Sequence, residues 1–405
     1  MRIKKVYCGC SLAADELQQN TTRKEIGNNM HIAVDGNLLC GKKTGMGIVV
    51  YHVLKYWKST DKHSITVYCP EKLDERYSCL IGRNGIKIRV LGKANYFKWE
   101  QIVLPKAVKQ DRADVLWCPY NTAPIKCPCK MVVTINDVIY MNSSLKSAPS
   151  VYKKIGIIYR KHIVPIAARY ARTIISISQY AKQEISYCFP KERHKIKVIL
   201  LGVDKSSVKF DSDDEKKFFQ EHGIRKPYIL GFGSLELRKN SLQLIRAYDA
   251  LPKEITDTYQ LILFGFRDYE RSEDHLYIKT HDLEKHIKIL EYISDEEKAT
   301  LYSESSMFVF PTLSEGFGIP VLEAFAAQTP VITSNITALP EIAGDAAVLV
   351  NPGNMDEISE AIKTLIEKPE KRHELIQAGM HQLNKFSWED TAKKIFEEIR
   401  LVGAE

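Results

Sequence analysis

Two successive series of short apolar runs govern what this chain can become, each run followed by a polar or glycine-bearing connection and often by helix-period sequence. The first series comprises "HIAVDGNLL", "SITVYCP", "IKIRVLG", "ADVLWCP", "CKMVVTIND" and "ARTIISIS"; the second comprises "PYILGFGSLELRKN", "YQLILFG", "IKILEYI", "SSMFVFP", "TPVITSN" and "AAVLVNP". Runs that are apolar at nearly every position fit strands buried on both faces, and strands alternating with helices pair in parallel. A single core stops growing well below 405 residues. The expected fold is therefore α/β, with two Rossmann-like domains facing a central cleft. The expected divisions are an atypical extension over 1–29, a first domain over 30–205, a second over 206–385 and a terminal helix over 386–405. The linker is read in "GVDKSSVKFDSD". In "FSWEDTAKKIFEEIRL", Trp388, Ala392, Ile395, Phe396 and Ile399 form a stripe that a helix would pack.

Several function classes are set aside by composition. No apolar stretch approaches the ~20 residues of a membrane span, and the first thirty residues lack the apolar core of a signal peptide. The expected location is cytoplasmic. The nine cysteines carry no surrounding histidines in a zinc pattern, and are expected to be ordinary thiols. A formal charge of +8 favours anionic partners. From Met141 to Arg172 there are seven Lys or Arg residues and no Asp or Glu, with Pro165 expected to divide or start a helix. This segment suits either a solvated basic helix packed on its domain or a face against anionic lipid or a phosphorylated substrate. No recognition-helix, zinc-finger or aromatic nucleic-acid motif accompanies the charge, so nucleic acid is not an expected partner. Oligomeric state is left unassigned.

In "GFGSLELRKN", Gly231 and Gly233 follow a strand, and Arg238 and Lys239 precede a helix. Two adjacent cations can balance a diphosphate, although a structural turn with exposed cations fits the same letters. In "LSEGFGIPVLEAFAA", Pro320 belongs in a first helical turn, and free N–H groups between Gly318 and Leu322 would face an anionic leaving group. Glu323 lies one turn into that helix and Glu315 before it. One carboxylate can then address a ribose and the other sugar hydroxyls.

The segments "EGFGIPVLEA", "GSLELRKN", "YISDEEKATLYSESSMFVFPTLSEGFG" and "TPVITSNITALPEIAGDAAVLVNP" resemble glycosyltransferase family 4, retaining transferases of the two-domain GT-B fold whose terminal helix crosses back to the first domain. The resemblance is strongest over 227–355. It implies that Glu315 contacts the donor hexose, Glu323 the nucleotide ribose, and Arg238 and Lys239 the diphosphate. Phe317, Gly318 and Ile319 would surround donor sugar and phosphate through backbone contacts, with Tyr292, Val321 and Leu322 also at the donor. In the first domain "TGMG" resembles the family's loop after the first strand, placing Gly45 and Gly47 near phosphate or acceptor. "WEQIVLP", "ADVLWCPYNTAP" and "VILLGVD" resemble signatures of a mannosyltransferase-like subgroup.

One departure bears on chemistry. The family's frequent His-Asp pair is Asn136-Asp137 here, in "TINDV". Asn136 can position a sugar by hydrogen bonding but cannot titrate, so Asp137 is the better candidate for orienting an acceptor, against a capping role. The resemblance implies a UDP- or GDP-sugar donor, GDP-mannose slightly favoured, with no cofactor and no required metal. The implied acceptor is a saccharide, with a polyprenyl-diphosphate-linked one favoured by the basic segment. A noncatalytic nucleotide-sugar binder and a GT-B epimerase or phosphorylase are the competing readings. Turnover, interconversion without acceptor, and dependence on inorganic phosphate separate them.

Overall fold

A computed structural model describes residues 29–41, 45–57, 63–82, 85–142, 151–205 and 210–405. The extension read over 1–29 lies outside them but for its last residue, and so do Cys8 and Cys10. The first sheet comprises β1 (Met30–Asp35), β2 (His63–Cys69), β3 (Ile86–Val90), β4 (Val115–Cys118), β5 (Lys130–Ile135), β6 (Thr173–Ser176) and β7 (Ile196–Val198). Its order is β3-β2-β1-β4-β5-β6-β7, every pair parallel. The second comprises β8 (Tyr228–Phe232), β9 (Gln260–Phe264), β10 (Ile287–Leu290), β11 (Met307–Phe310), β12 (Val331–Ser334) and β13 (Ala347–Val350). Its order is β10-β9-β8-β11-β12-β13, again parallel throughout. In both sheets the winding reverses between the first strand and the fourth, and ligands bind outside the carboxyl ends of strands at such a reversal. The expected two-domain GT-B architecture is thereby realised.

Six helices matter to the site: α1 (Gly45–Lys55), α2 (Val151–Tyr170), α3 (Gln179–Cys188), α4 (Asp295–Glu304), α5 (Ile319–Ala326) and α6 (Trp388–Ala404). Two expectations are corrected. Gly45 and Gly47 stand in the first turn of α1 rather than in a loop, because Val49, Val50, Val53 and Leu54 bury one face of that helix against the sheet. Pro165 neither divides nor starts a helix but lies inside α2. Proline removes one helical donor. Burial of Val164, Ala167 and Ala168 against the first sheet offsets that loss.

The terminal helix behaves as its stripe predicts. Trp388, Ala392, Ile395, Phe396 and Ile399 are all buried, a gross contribution on the order of 10 kcal/mol before ordering costs. Trp388 stacks on His52 of α1 at 4.6 Å, and Phe396 meets Trp57 at 4.1 Å, so α6 returns from the second domain to the first. The Thr391 hydroxyl donates to the Leu200 carbonyl at 2.7 Å. Cys127 and Cys129 are free thiols with sulfurs 3.8 Å apart. Among the described residues no helix is long and apolar enough to cross a membrane.

Candidate functional site

The connections leaving β8 and β11 emerge side by side at the second sheet's reversal and are stitched together by backbone acceptors. The Arg238 carbonyl accepts from the Leu313 N–H and the Thr312 hydroxyl, both at 2.7 Å. The Arg238 guanidinium returns to the Ser314 carbonyl at 3.0 Å. Asn240, with φ 61°, spans the carbonyls of Pro311 and Pro352 at 2.8 Å each. On this frame one oxygen of Glu315 receives Arg238 at 2.8 Å and Lys239 at 2.6 Å. The Lys239 ammonium also lies over the rings of Phe232 and Phe310, 5.0 and 5.1 Å from their centres. Glu315 and Lys239 are only 13% and 12% exposed, so their attraction acts in a medium far less screening than water. Burial alone would lower the Arg238 pKa; the carboxylates of Glu315 and Glu236 outweigh it and hold the guanidinium charged.

The helix that follows is entered through Gly318, at φ 127°, where a Cβ would stand 2.7 Å from a Leu339 methyl. Only glycine fits that turn. The N–H groups there are fewer than the sequence predicts, because Pro320 has none and Val321 donates to the Gly318 carbonyl at 3.0 Å. Phe317, Val321 and Leu322 point into the core, Phe317 against Phe386, so only their backbone is available to a ligand. Ile319 is half-buried. Glu323, one turn on, pairs with Lys298 of α4 at 2.6 Å and lies 3.5 Å from the Tyr302 hydroxyl. Burial would lower the Lys298 pKa, but Glu323 beside it raises it above the ordinary value. The two glutamates thus belong to separate ion sets, one with Arg238 and Lys239 and one with Lys298.

Gly231 and Gly233, expected at the donor, are held to glycine by packing inside the second domain. A Cβ on Gly231 would come within 2.5 Å of Leu244 and 2.6 Å of Leu263, and one on Gly233 within 2.1 Å of the Phe266 ring. Tyr292, also expected there, stands 89% exposed on the connection after β10. The chain's Asp-x-Asp triplet, Asp211 to Asp213, caps a helix: Asp211 accepts from the N–H groups of Asp213 at 3.1 Å and Asp214 at 3.0 Å. Among the described residues no group of three His, Cys, Asp or Glu is placed to hold a metal ion.

Across from this loop, Asn136 and Asp137 follow β5. The Asn136 N–H donates to Asn121 at 2.8 Å, and its side-chain amide reaches the Met46 sulfur at 3.4 Å, which puts Gly45 and Gly47 beside it. Asp137 accepts from the Ile139 N–H at 3.2 Å. Burial raises the Asp137 pKa, against the opposing pull of that N–H, Arg238 and Arg160. The domains meet here. A Cβ on Gly316 would stand 2.6 Å from the Asn136 carbonyl oxygen and 3.2 Å from the Asp137 Cβ. The Ser178 hydroxyl donates to the Gly316 carbonyl at 2.7 Å. Glu341 of the second domain accepts from the N–H groups of Gln179 at 2.9 Å and Tyr180 at 3.0 Å, placing a carboxylate on the amino end of α3. Between them lies a cavity of about 220 Å³ lined by residues that include Asp137, Tyr180, Glu184, Ser314, Glu315 and Thr337. The sequence reading missed Gly316, Ser178, Glu341 and Lys298. Ser178 carries a helix-cap signal, and the others become visible only through their partners.

Comparison with known proteins identifies the family and the fold. The Glycosyltransferase Family 4 pattern matches residues 43–207 and the Glycosyl transferases group 1 pattern residues 212–382. The chain is 29% identical over 274 residues to the O-antigen chain mannosyltransferase B of Escherichia coli, spanning 67% of this chain and 71% of that one. It is 29% identical over 226 residues to the serotype-specific mannosyltransferase WbdA of the same organism, spanning 55% of this chain and 28% of that longer one. The fold is shared with Anabaena Alr3699/HepE, whose crystal structure contains UDP and glucose, at a TM-score of 0.68 and 20% identity over 91% of this chain and 99% of that one.

Proposed function

Because this chain is a GT-B glycosyltransferase related to the family 4 and group 1 enzymes and to bacterial surface-polysaccharide mannosyltransferases, we propose that it moves a hexose from a nucleoside-diphosphate sugar to a saccharide acceptor with retention of anomeric configuration. The observation that carries the reading is the Glu315, Arg238 and Lys239 cluster facing Asp137 across a cleft formed at the reversal points of both sheets. Arg238 and Lys239 take the diphosphate, the backbone entering α5 takes the phosphate nearest the sugar, and Glu323 takes the ribose. Glu315, released from part of its ion pairing when diphosphate arrives, turns its carboxylate to the sugar hydroxyls. Asn136 positions the donor sugar, and Asp137 orients the acceptor.

The acceptor hydroxyl attacks the anomeric carbon on the face from which the diphosphate leaves. The sugar–phosphate C–O bond breaks with its electron pair going to the leaving oxygen, and the acceptor's proton passes to that same diphosphate. Positive charge develops at the sugar ring and negative charge on the diphosphate, where two fixed cations and oriented N–H groups stabilise it without reorganisation. With those charges supplied by side chains, transfer proceeds without a divalent ion. The names of the relatives, which speak of mannosyl transfer, O-antigen chains and capsular polysaccharide, support mannose as the sugar and a surface polysaccharide as the product; GDP-mannose as donor and a lipid-linked oligosaccharide as acceptor complete the reading.

A panel of nucleotide sugars with saccharide acceptors, read by mass spectrometry, tests the reaction. Transfer from one donor with release of its nucleoside diphosphate is the expected result. Interconversion of nucleotide sugars without acceptor, or dependence on inorganic phosphate, would replace the reading with an epimerase or a phosphorylase. Product NMR showing an inverted linkage would overturn the front-face step, and loss of activity under chelation would overturn metal independence.

A further inference from the structure

The cavity between the domains has two walls of different chemistry. On the second-domain side Glu315 is matched by Arg238 and Lys239 and belongs to the donor cluster. On the first-domain side stand Asp137, Tyr180 and Glu184, with Val138, Ile139 and Ala181 among them. Tyr180 and Glu184 are one turn apart on α3 and so share a face. Burial of Ala181 and Ile185 fixes the rotation of that helix and aims the face at the cavity.

The polar groups on this face are unused within the protein. Among the described residues neither the Tyr180 hydroxyl nor the Glu184 carboxylate has a hydrogen-bond or ion-pair partner, although both residues are half-buried. Burial, and then the charge of Glu184, raise the Tyr180 pKa, so the phenol keeps its proton beside the carboxylate. The position of α3 depends on the other domain, because Glu341 holds its amino end and the Ser178 hydroxyl is tied to the Gly316 carbonyl. Tyr180 and Glu184 are thereby brought opposite Glu315 by the contact between the domains.

The charge around the cavity selects what can enter. Among the described residues that line it, Asp137, Glu184 and Glu315 are acids and none is Lys, Arg or His. Arg160, whose charge pulls on Asp137, lies back against the Tyr140 ring at 5.3 Å and outside the lining. Once a diphosphate occupies Arg238 and Lys239, an anionic group beside Glu184 would face carboxylates and phosphate oxygens in a space that screens their repulsion weakly. A neutral sugar meets the same wall favourably. Its O–H groups donate to carboxylate oxygens, and its C–H face lies on Val138, Ile139 and Ala181.

We propose that Tyr180 and Glu184 bind the terminal sugar of the acceptor and restrict it to sugars that carry no carboxylate, phosphate or sulfate. The Glu184 carboxylate accepts from the sugar's hydroxyls, and the Tyr180 hydroxyl completes the contact. This assignment rests on the transferase reading of the cleft and deepens it by naming the chemical class of the acceptor at its reacting end. The phosphate of a lipid carrier then lies beyond that sugar.

The test is a transfer assay with phenyl glycosides paired to differ only at C6: glucoside and glucuronide, mannoside and mannuronide, galactoside and galacturonide. Transfer is expected to a neutral member and not to its uronide. Glu184→Gln should raise KM for the neutral acceptor roughly tenfold with kcat nearly kept, and Tyr180→Phe should raise it by a smaller factor. Glu184→Lys should bring the uronide into turnover. All three variants should keep the parental melting temperature, because the altered groups have no partner in the free protein. Calorimetry with GDP and UDP reports the donor site separately, and unchanged nucleotide affinity is expected throughout. A parent that uses the uronide as well as its neutral partner, or Glu184 variants with parental KM for both, would overturn this proposal and leave the transferase reading standing. A parent that binds neither nucleotide and transfers to no acceptor would overturn both.

Discussion

Glu315→Gln removes a charge without removing much volume, and its consequences follow from the two cations it leaves behind. Arg238 and Lys239 share one oxygen of Glu315, at 2.8 and 2.6 Å. Their nitrogens therefore stand roughly 5 Å apart, and at an effective dielectric of about 20 they repel by about 3 kcal/mol once the carboxylate is neutral. The high dielectric is the right choice because Arg238 is 32% exposed. Loss of both charge-assisted bonds adds to this cost, while relief of carboxylate desolvation offsets part of it. A net loss of about 3 kcal/mol lowers the melting temperature of a domain this size by roughly 10 °C. Nucleoside diphosphate reverses the loss, because two unneutralised cations now bind it more tightly than in the parent, by about tenfold. Turnover nevertheless falls, since the amide oxygen at 315 accepts from the sugar hydroxyls without the negative charge that strengthens those bonds. Scanning fluorimetry with and without GDP or UDP, calorimetry and a transfer assay read these effects. Lys239→Met in the same background should restore stability in the apolar niche of Phe232 and Phe310 and abolish the gain in affinity. A Glu315→Gln protein that melts within about 1 °C of the parent and binds nucleoside diphosphate equally would refute the charge argument.

Gly316→Ala forces a Cβ to within 2.6 Å of the Asn136 carbonyl, so the domains must part. Transfer should fall at least roughly tenfold with nucleotide affinity nearly unchanged, and small-angle scattering should show a larger radius of gyration; parental turnover would contradict the contact. Glu323→Ala should weaken nucleoside-diphosphate binding by roughly tenfold to a hundredfold, the worth of charge-assisted bonds to a ribose, and unchanged affinity in calorimetry would remove Glu323 from that role. Asp35 is buried, which raises its pKa to about 6 against the lowering effect of Trp99 and Asn37. As pH rises from about 4 to 6 the unfolded carboxyl ionises before the folded one, so Asp35 costs stability through that window, about 3 kcal/mol when complete. Asp35→Asn retains the acceptor oxygen used by Trp99 at 3.0 Å and Asn37 at 3.1 Å, so it should flatten that slope and stabilise the protein above pH 6. Identical urea unfolding profiles from pH 4 to 7 would show that Asp35 does not carry it.

What could be read in the sequence, and what could not, divides along the distance over which the determining interaction acts. Strands such as "SSMFVFP" and "AAVLVNP" were legible because a parallel strand covered on both faces spells itself as a continuous apolar run. The α6 stripe was legible for the same reason, since 3.6-residue periodicity is local. Arg238, Lys239, Glu315 and Glu323 announced themselves through neighbouring glycines and proline. Their pairing did not. Lys298 sits in "SDEEKATLY", where a lysine beside three acids suggests a solvated helix face, yet it is drawn inward by Glu323 across 25 residues. Glu341 and the amino end of α3 are separated by 162 residues and by a domain boundary, and no local pattern links them. Local rules also failed where tertiary burial outweighed them: glycines punctuate loops and proline breaks helices, but the apolar faces of α1 and α2 bury enough to hold both helices through those residues. Gly316 joins the two cases. As a letter it marks a flexible turn, whereas in the folded chain its missing Cβ is the space into which the opposite domain fits. A substitution there acts on the distance between the donor cluster and Asp137, the quantity on which transfer depends.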